Sequence, residues 1–374
     1  MLDVMKNVSA LYGIAHSNHD FSQEAAWGKN TFTNSLPISL AQYLNAEHGA
    51  GIMEIRAVED EDGQIGTSQA EIALEEIWNV SPENASFHFE QVFDGFRKYG
   101  AGGRANQSDV VVLDPEGNHR RALEVKLVVV PTSSTADNPL ETQSCEIVAR
   151  PPTVEQLAFS IVRSYGEHRK NEIGQIISKA LENPMQWKWN DEEFIRDRIP
   201  MIAQAAEEIV RCGIEDQTPL VLNAIWRTEG QKPTLAENAF DVFSWTDLAF
   251  LQLFRESARA GSSKVSRPER SLVWLVKCLL DYSVQGHLDF SSTVSEMSFS
   301  HQSDKAGSFA GDRTLRHMGG EQFFRPRITR EEIGNLISAE GISFLAPERR
   351  LDATVFWQAS LEKQNNSENQ AIDS

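Results

Sequence analysis

Between residues 108 and 130 the chain reads SDVVVLDPEGNHRRALEVKLVVV, and no other stretch limits the possible folds so tightly. Val110 to Leu113 is a short β-branched run, residues 114–118 (DPEGN) are dense in turn-forming types, and residues 122–130 are rich in valine. The economical reading is two strands joined by one loop, the second running over 122–130. Side chains alternate faces along a strand, so Glu124, Lys126 and Val128 share one face while Leu123, Val125, Leu127 and Val129 line the other. An acid and a base are thus held side by side, about 7 Å apart at the Cα level. The chain has 12 lysines, and this is the only one with an acid two residues before it.

Carboxylates in a valine-rich sheet cost several kcal/mol each unless they are paired or bind a metal. Two readings follow. Asp109, at the mouth of the first strand, and Glu124, within the second, can converge on a hard divalent cation, which takes oxygen ligands and often only one or two carboxylates. Lys126 then lies where it can polarise the attacking water or steady charge on a phosphate. Alternatively, Glu124 and Lys126 form a buried or edge ion pair.

An Asp, about fifteen residues, then Glu-x-Lys on consecutive strands resembles the core of the PD-(D/E)xK nucleases, with Ser108 where that motif has proline. Further segments are similar to the HindVP family of type II restriction endonucleases. At the N-terminal end they are Ser17-Asn18-His19-Asp20-Phe21, Trp27-Gly28-Lys29-Asn30, Phe32, Asn34-Ser35, Pro37 and Ser39-Leu40. Later ones are Arg150-Pro151-Pro152-Thr153, Gln302-Ser303-Asp304-Lys305-Ala306, Pro326-Arg327-Ile328-Thr329 and Pro347-Glu348-Arg349-Arg350. The likeness covers the first 45 residues, about 109–161 and about 301–357; residues 165–290 carry no such motif.

The net charge of −19 runs against an enzyme of DNA, because non-specific affinity for nucleic acid comes from Lys and Arg on phosphates. Its distribution softens the conflict. Residues 54–94 hold eleven acids and one arginine, whereas residues 304–330 hold six basic residues (Lys305, Arg313, Arg316, Arg325, Arg327, Arg330) against three acids. A local basic surface on an acidic protein suits specific binding with little unspecific adsorption. The three cysteines (Cys145, Cys212, Cys278) are dispersed and odd in number, which fits reduced thiols and not a zinc site. No run of 18 apolar residues exists and residues 1–13 lack signal-peptide character, so the expectation is a cytoplasmic bacterial protein with no membrane partner.

In chain order, a polar segment passes into a helix over 37–45, with Pro37 in its first turn. Asn18, Lys29 and Asn30 are candidates for DNA contact or its support, against a packed N-terminal turn. Residues 54–66 read as acidic and solvated, and 69–78 as a helix. On such a helix Glu71 and Glu75 stand one turn apart on the same face, where either is a candidate for a metal-water contact. Phe87, Phe89, Val92, Phe93 and Phe96 read as core. Arg104 lies in an irregular loop, GAGGRAN, leading to the first catalytic strand, and can approach a phosphate. A third strand is expected at 145–149. Thr153 caps the next helix, whose first turn holds Glu155 and Gln156; the helix dipole accounts for an acid there. Residues 174–181, 192–211, 244–259 and 267–282 have helical spacing, and 219–226 is strand-like. Trp187 and Trp189 read as core anchors. Arg313, Arg316, Arg325 and Arg327 are candidates for phosphate or guanine contacts. A helix opens near Thr329, a strand covers 352–358, and the tail is polar.

The expected architecture is α/β: a PD-(D/E)xK restriction-endonuclease-like core with a central mixed sheet flanked by helices and extra helical elements. One domain spans 1–360, with its catalytic core about 65–165 and helical, basic elements about 166–360; residues 361–374 form a disordered tail. The resemblance implies magnesium bound by Asp109 and Glu124, catalysis by these two with Lys126, and double-stranded DNA as substrate. It also implies a homodimer cutting a palindrome such as GRCGYC, with a methyltransferase acting on the same site. A structure-directed or non-specific repair nuclease of the same core, or a non-catalytic DNA-binding protein, is the alternative.

Overall fold

A computed structural model describes residues 18, 38, 41, 42, 45, 52–125, 128–131, 145–149, 151–222, 226–229, 232–235, 243–258, 265, 267–296 and 309–310. Ile38, Ala41, Gln42 and Asn45 are helical, as the 37–45 spacing predicts, and Ile38 and Ala41 are buried.

Strands β1 (Ile52–Glu59) and β2 (Ile65–Ile72) pair antiparallel from Ile52 opposite Ile72 to Glu59 opposite Ile65. The turn between them is closed by Asp60, whose Oδ1 accepts the N–H of Asp62 (3.0 Å) and of Gln64 (2.8 Å), while Gly63 takes φ +75°, which a residue without Cβ adopts freely. This hairpin corrects two expectations. The helix predicted over 69–78 is only α1 (Leu74–Trp78), because the residues before it are held in a continuous ladder; Glu71 and Glu75 therefore do not share one helix. Nor is 54–66 wholly solvated: β1 lies between β2 and β11 (Phe243–Thr246), and Glu54 is buried, its carboxylate bonded by Arg56.

β3 (Ser86–Val92), α2 (Asp94–Arg97), β4 (Gln107–Leu113) and β5 (His119–Leu123) follow. The three strands form an antiparallel sheet in that order. Phe87, Phe89, Val110, Val111, Val112 and Leu123 are buried in it, and Trp78 meets Phe87 edge-on at 5.4 Å. Phe93 and Phe96 are also buried, so four of the five residues read as core in this region are enclosed, Val92 being partly exposed. The β4–β5 turn is fixed by Asp114, which accepts from the N–H of Asn118 (2.8 Å) and from its side-chain amide (2.9 Å).

The valine-rich run does not continue as one strand. After Leu123 the chain leaves β4, and β6 (Val128–Pro131) pairs instead with β7 (Cys145–Ala149) and, in parallel, with β9 (Trp226–Glu229). The expected strand at 145–149 is present. As a consequence the described strands form three sheets in place of one central sheet: β2-β1-β11-β8, β10-β9-β6-β7-β12 and β3-β4-β5. Here β8 is Pro219–Leu222, β10 is Lys232–Leu235 and β12 is Phe309–Ala310. Two of the sheets are mixed, through the parallel pairs β1–β11 and β6–β9.

Helices cover these sheets: α3 (Pro151–Tyr165), α4 (Lys170–Ala180), α5 (Glu192–Arg196), α6 (Ile199–Gly213), α7 (Asp247–Ser257), α8 (Arg267–Gln285) and α9 (Phe290–Glu296). The predicted helix 192–211 is interrupted before α6, where Pro200 occupies the first turn. The predicted helix 244–259 begins late because 243–246 pairs with both β1 and β8; Thr246 then caps α7, its Oγ1 accepting the N–H of Ala249 at 3.0 Å. Residues 271–281 of α8 are buried on every side, which makes this helix the centre of the core. Lys277, buried in this helix, is bonded to Asp281 one turn on, at 2.5 Å to Oδ2. Trp189 is buried and Trp187 packs on the core, as anchors should. No helix among the described residues is long and apolar enough to cross a membrane. The helix near 329, the strand at 352–358 and the tail lie outside the described residues.

Candidate active site

Within the β4–β5 ladder Val111 faces Ala122 and the last pair is Val110 with Leu123, so Asp109 and Glu124 are the next residues of the two strands just beyond the ladder's end. Four buried apolar residues hold β4 in the sheet, the turn closed by Asp114 returns the chain, and a register shift between Val112 and Leu113 precedes the regular part of the ladder. Glu124 is 6% exposed, and Asp109 is partly buried. Asp109 Oδ2 accepts the N–H of Val125 at 2.7 Å, so a side chain takes the place of a ladder partner just where β5 turns away. Lys126 lies outside the described residues.

A third acid shares this level of the sheet. Phe89 faces Val110 and Gln91 faces Ser108, which puts Glu90 at the register position of Asp109, with its backbone at φ +52°. Positive φ is uncommon for a residue with a Cβ and concentrates at functional sites. Asn18 grips the neighbouring backbone: its amide donates to the carbonyl of Phe89 (3.1 Å) and accepts from the N–H of Phe89 (2.9 Å). Both polar ends of Asn18 thus serve the outer edge of β3. No spacing rule marks Glu90, since its position follows from the β3–β4 register alone. Its carboxylate is not gathered with the other two, for among the described residues no three His, Cys, Asp or Glu side chains stand together as a metal site.

The other candidates are dispersed. Glu71 is exposed on β2, the outer strand of a different sheet, and Glu75 is exposed on α1. Arg104 is exposed in the irregular loop before β4, as expected. Lys29, Asn30, Lys305, Arg313, Arg316, Arg325 and Arg327 lie outside the described residues.

α3 already begins at Pro151, so Thr153 lies inside the helix and does not cap it, and Glu155 and Gln156 follow a first turn that holds no acid. What they meet is set by the tertiary fold and not by a helix dipole. Gln156 is 4% exposed, and its amide Nε2 donates to the carbonyl of Gln107 at 2.9 Å. Its Oε1 accepts from the hydroxyl of Ser108 at 3.1 Å. Glu155 accepts from the side-chain amide of Asn106. Burial pushes the Glu155 carboxyl up to about 7; the Asn106 bond opposes this and the nearby Asp289 carboxylate adds to it. Folded protein therefore holds a proton here that the unfolded chain releases near pH 4.5, so stability falls as pH rises from about 4.5 to 7. Glu155→Gln is expected to match the wild type at pH 4 and to be more stable by about 2 kcal/mol at pH 8. Urea denaturation at the two pH values checks this; equal stability of the two proteins at pH 8 would contradict it.

Comparison with known proteins now defines the class: the chain is a type II restriction enzyme. Residues 27–361 match the HindVP restriction endonuclease family, and the chain belongs to that family. It is 31% identical over 356 residues to the type II restriction enzyme HgiDI of Herpetosiphon aurantiacus, covering 93% of this chain and 96% of that one. It is 28% identical over 360 residues to the probable type II restriction enzyme HindVP of Haemophilus influenzae, covering 94% of each. No solved structure matches the chain.

Proposed function

We propose that this restriction enzyme is a PD-(D/E)xK nuclease that makes magnesium-dependent double-strand cuts in a short palindromic DNA site, GRCGYC, within a restriction-modification system. The observation that carries the reading is the end of the β4–β5 ladder at Val110–Leu123, beyond which Asp109 and Glu124 are the next residue on each side. Their donor chemistry fits magnesium, a hard ion that usually takes one or two carboxylates and fills its remaining positions with water and substrate phosphate. When bound, magnesium supplies Lewis-acid stabilisation of charge on the phosphate and the leaving oxygen.

The chain's own groups do the rest. Asp109 and Glu124 hold the ion, with Asp109 steadied by the Val125 N–H. Lys126, two residues beyond Glu124, orients the attacking water and adds positive charge beside the scissile phosphate. Arg104, Lys29, Asn30, Lys305, Arg313, Arg316, Arg325 and Arg327 contact DNA, and most of these contacts position the duplex while few read bases. Asn18 supports the site through the β3 edge. A homodimer presents two such sites to a two-fold symmetric sequence, and a methyltransferase protects the same sequence.

Digestion of plasmid DNA with magnesium, beside a calcium control, tests the reading. Discrete fragments whose ends map to GRCGYC are expected with magnesium only. Discrete fragments ending elsewhere would replace the site and keep the enzyme. A smear would favour a structure-directed or non-specific nuclease, and intact DNA across salt and metal conditions a binding protein.

A further inference from the structure

We infer that Gln156 is a positioning residue for Asp109, setting through Ser108 and the carbonyl of Gln107 where the metal-holding carboxylate stands. The inference rests on the catalytic role proposed for Asp109. β5 parts from β4 after the Val110–Leu123 pair, so residues 107–109 have no ladder on that side. Two bonds from outside the ladder replace it. Val125 N–H reaches the Asp109 carboxylate, and the Gln156 side chain reaches the two residues before it, at 2.9 Å to the Gln107 carbonyl and 3.1 Å from the Ser108 hydroxyl. A longer contact, 3.4 Å, runs to the carbonyl of Asn106.

Donor and acceptor ends of one amide are thus both used, in a place where Ser108 is 1% exposed. Proline at 108 would fix φ by its ring. Serine leaves φ free, and its hydroxyl instead ties the strand to α3. The helix is itself fixed. One and two turns beyond Gln156, on the same stripe, Ser160 and Ser164 donate to the buried carboxylate of Asp247, at 3.0 and 2.7 Å. Gln156 therefore reaches the neighbouring strand from a helix tied to Asp247 through Ser160 and Ser164, and a shift of about 1 Å in a catalytic group can cost 10²-fold in rate.

The test compares Gln156→Met, Ser108→Ala, their double variant and Asp109→Asn in the full chain with its DNA. Methionine keeps the buried volume and removes the hydrogen bonds. Three readouts are taken: cleavage rate against magnesium concentration, calcium binding to the protein–DNA complex by calorimetry, and thermal unfolding. Gln156→Met is expected to lose about 10- to 100-fold in rate. It should also need several-fold more magnesium and bind calcium more weakly, with the double variant no worse than the poorer single one. If Gln156→Met fails to fold, Ser108→Ala carries the same expectation with a smaller perturbation.

Rate, metal requirement and calcium binding all within twofold of wild type, with Asp109→Asn inactive, would overturn this inference and leave the catalytic reading standing. A fall in melting temperature with unchanged metal binding would reduce Gln156 to a structural residue and also overturn it. Cleavage by Asp109→Asn at the wild-type rate would overturn both.

Discussion

Asp109→Asn is expected to lower the cleavage rate by on the order of 10³-fold while the protein stays folded and bound to DNA. Asparagine keeps an oxygen that can accept the Val125 N–H, now at 2.7 Å, so the local strand geometry survives the change. What goes is the charge that holds a divalent cation. Glu124→Gln should behave alike, because Glu124, like Asp109, is the next residue beyond the last β4–β5 pair and is proposed to hold the same ion. Lys126→Ala should lose a comparable factor with metal binding retained, since its role is to orient water and stabilise charge. Single-turnover cleavage, with calorimetric metal binding beside it, separates the three. Should all three variants cut normally, the two carboxylates would be structural and the site would lie elsewhere.

Asp247→Ala is expected to destabilise the fold by about 3–5 kcal/mol, with urea denaturation as the measurement. Asp247 is 0% exposed. Its oxygens accept from the Ser160 and Ser164 hydroxyls and from the backbone N–H groups of Thr218 and Leu248, at 2.7 to 3.1 Å. Burial holds its carboxyl above the usual range and the four donors pull the other way. Alanine removes this acceptor from four donors in the core; Ser164 keeps the Ser160 carbonyl at 3.1 Å and Thr218 Oγ1 at 2.6 Å, and each buried group left unsatisfied costs about 1–3 kcal/mol. Asp247→Asn should cost less, because serine hydroxyls can rotate to accept from the new amide. Equal losses for the two variants would mean that the hydrogen bonds contribute little and packing dominates.

The hairpin of β4 and β5 was legible in the chain because its determinants are local. Alternation, a β-branched run and the residues 114–118 that turn fix two adjacent strands, which leaves Asp109 and Glu124 just beyond their last pair. The phenylalanines of 87–96 and the helices after 150 were readable for the same reason, since apolar spacing reports which face an element must bury. Periodicity does not say what that face will meet. The apolar spacing over 69–78 suggested a helix, yet the ladder with β1 claimed the first part of it. Nothing in 122–130 marks where the chain changes sheets, because that depends on β7 and β9, the latter nearly one hundred residues on.

The same division holds for the buried polar groups. Sequence determined that a helix runs through Glu155 and Gln156, but its start at Pro151 takes both past the first turn, where the dipole no longer accounts for an acid. Tertiary structure decided that Gln156 meets Ser108 across 48 residues and that Ser164 meets Asp247 across 83. Local rules act within a turn or a pleat, whereas a buried donor needs its acceptor wherever the packing of whole elements brings one.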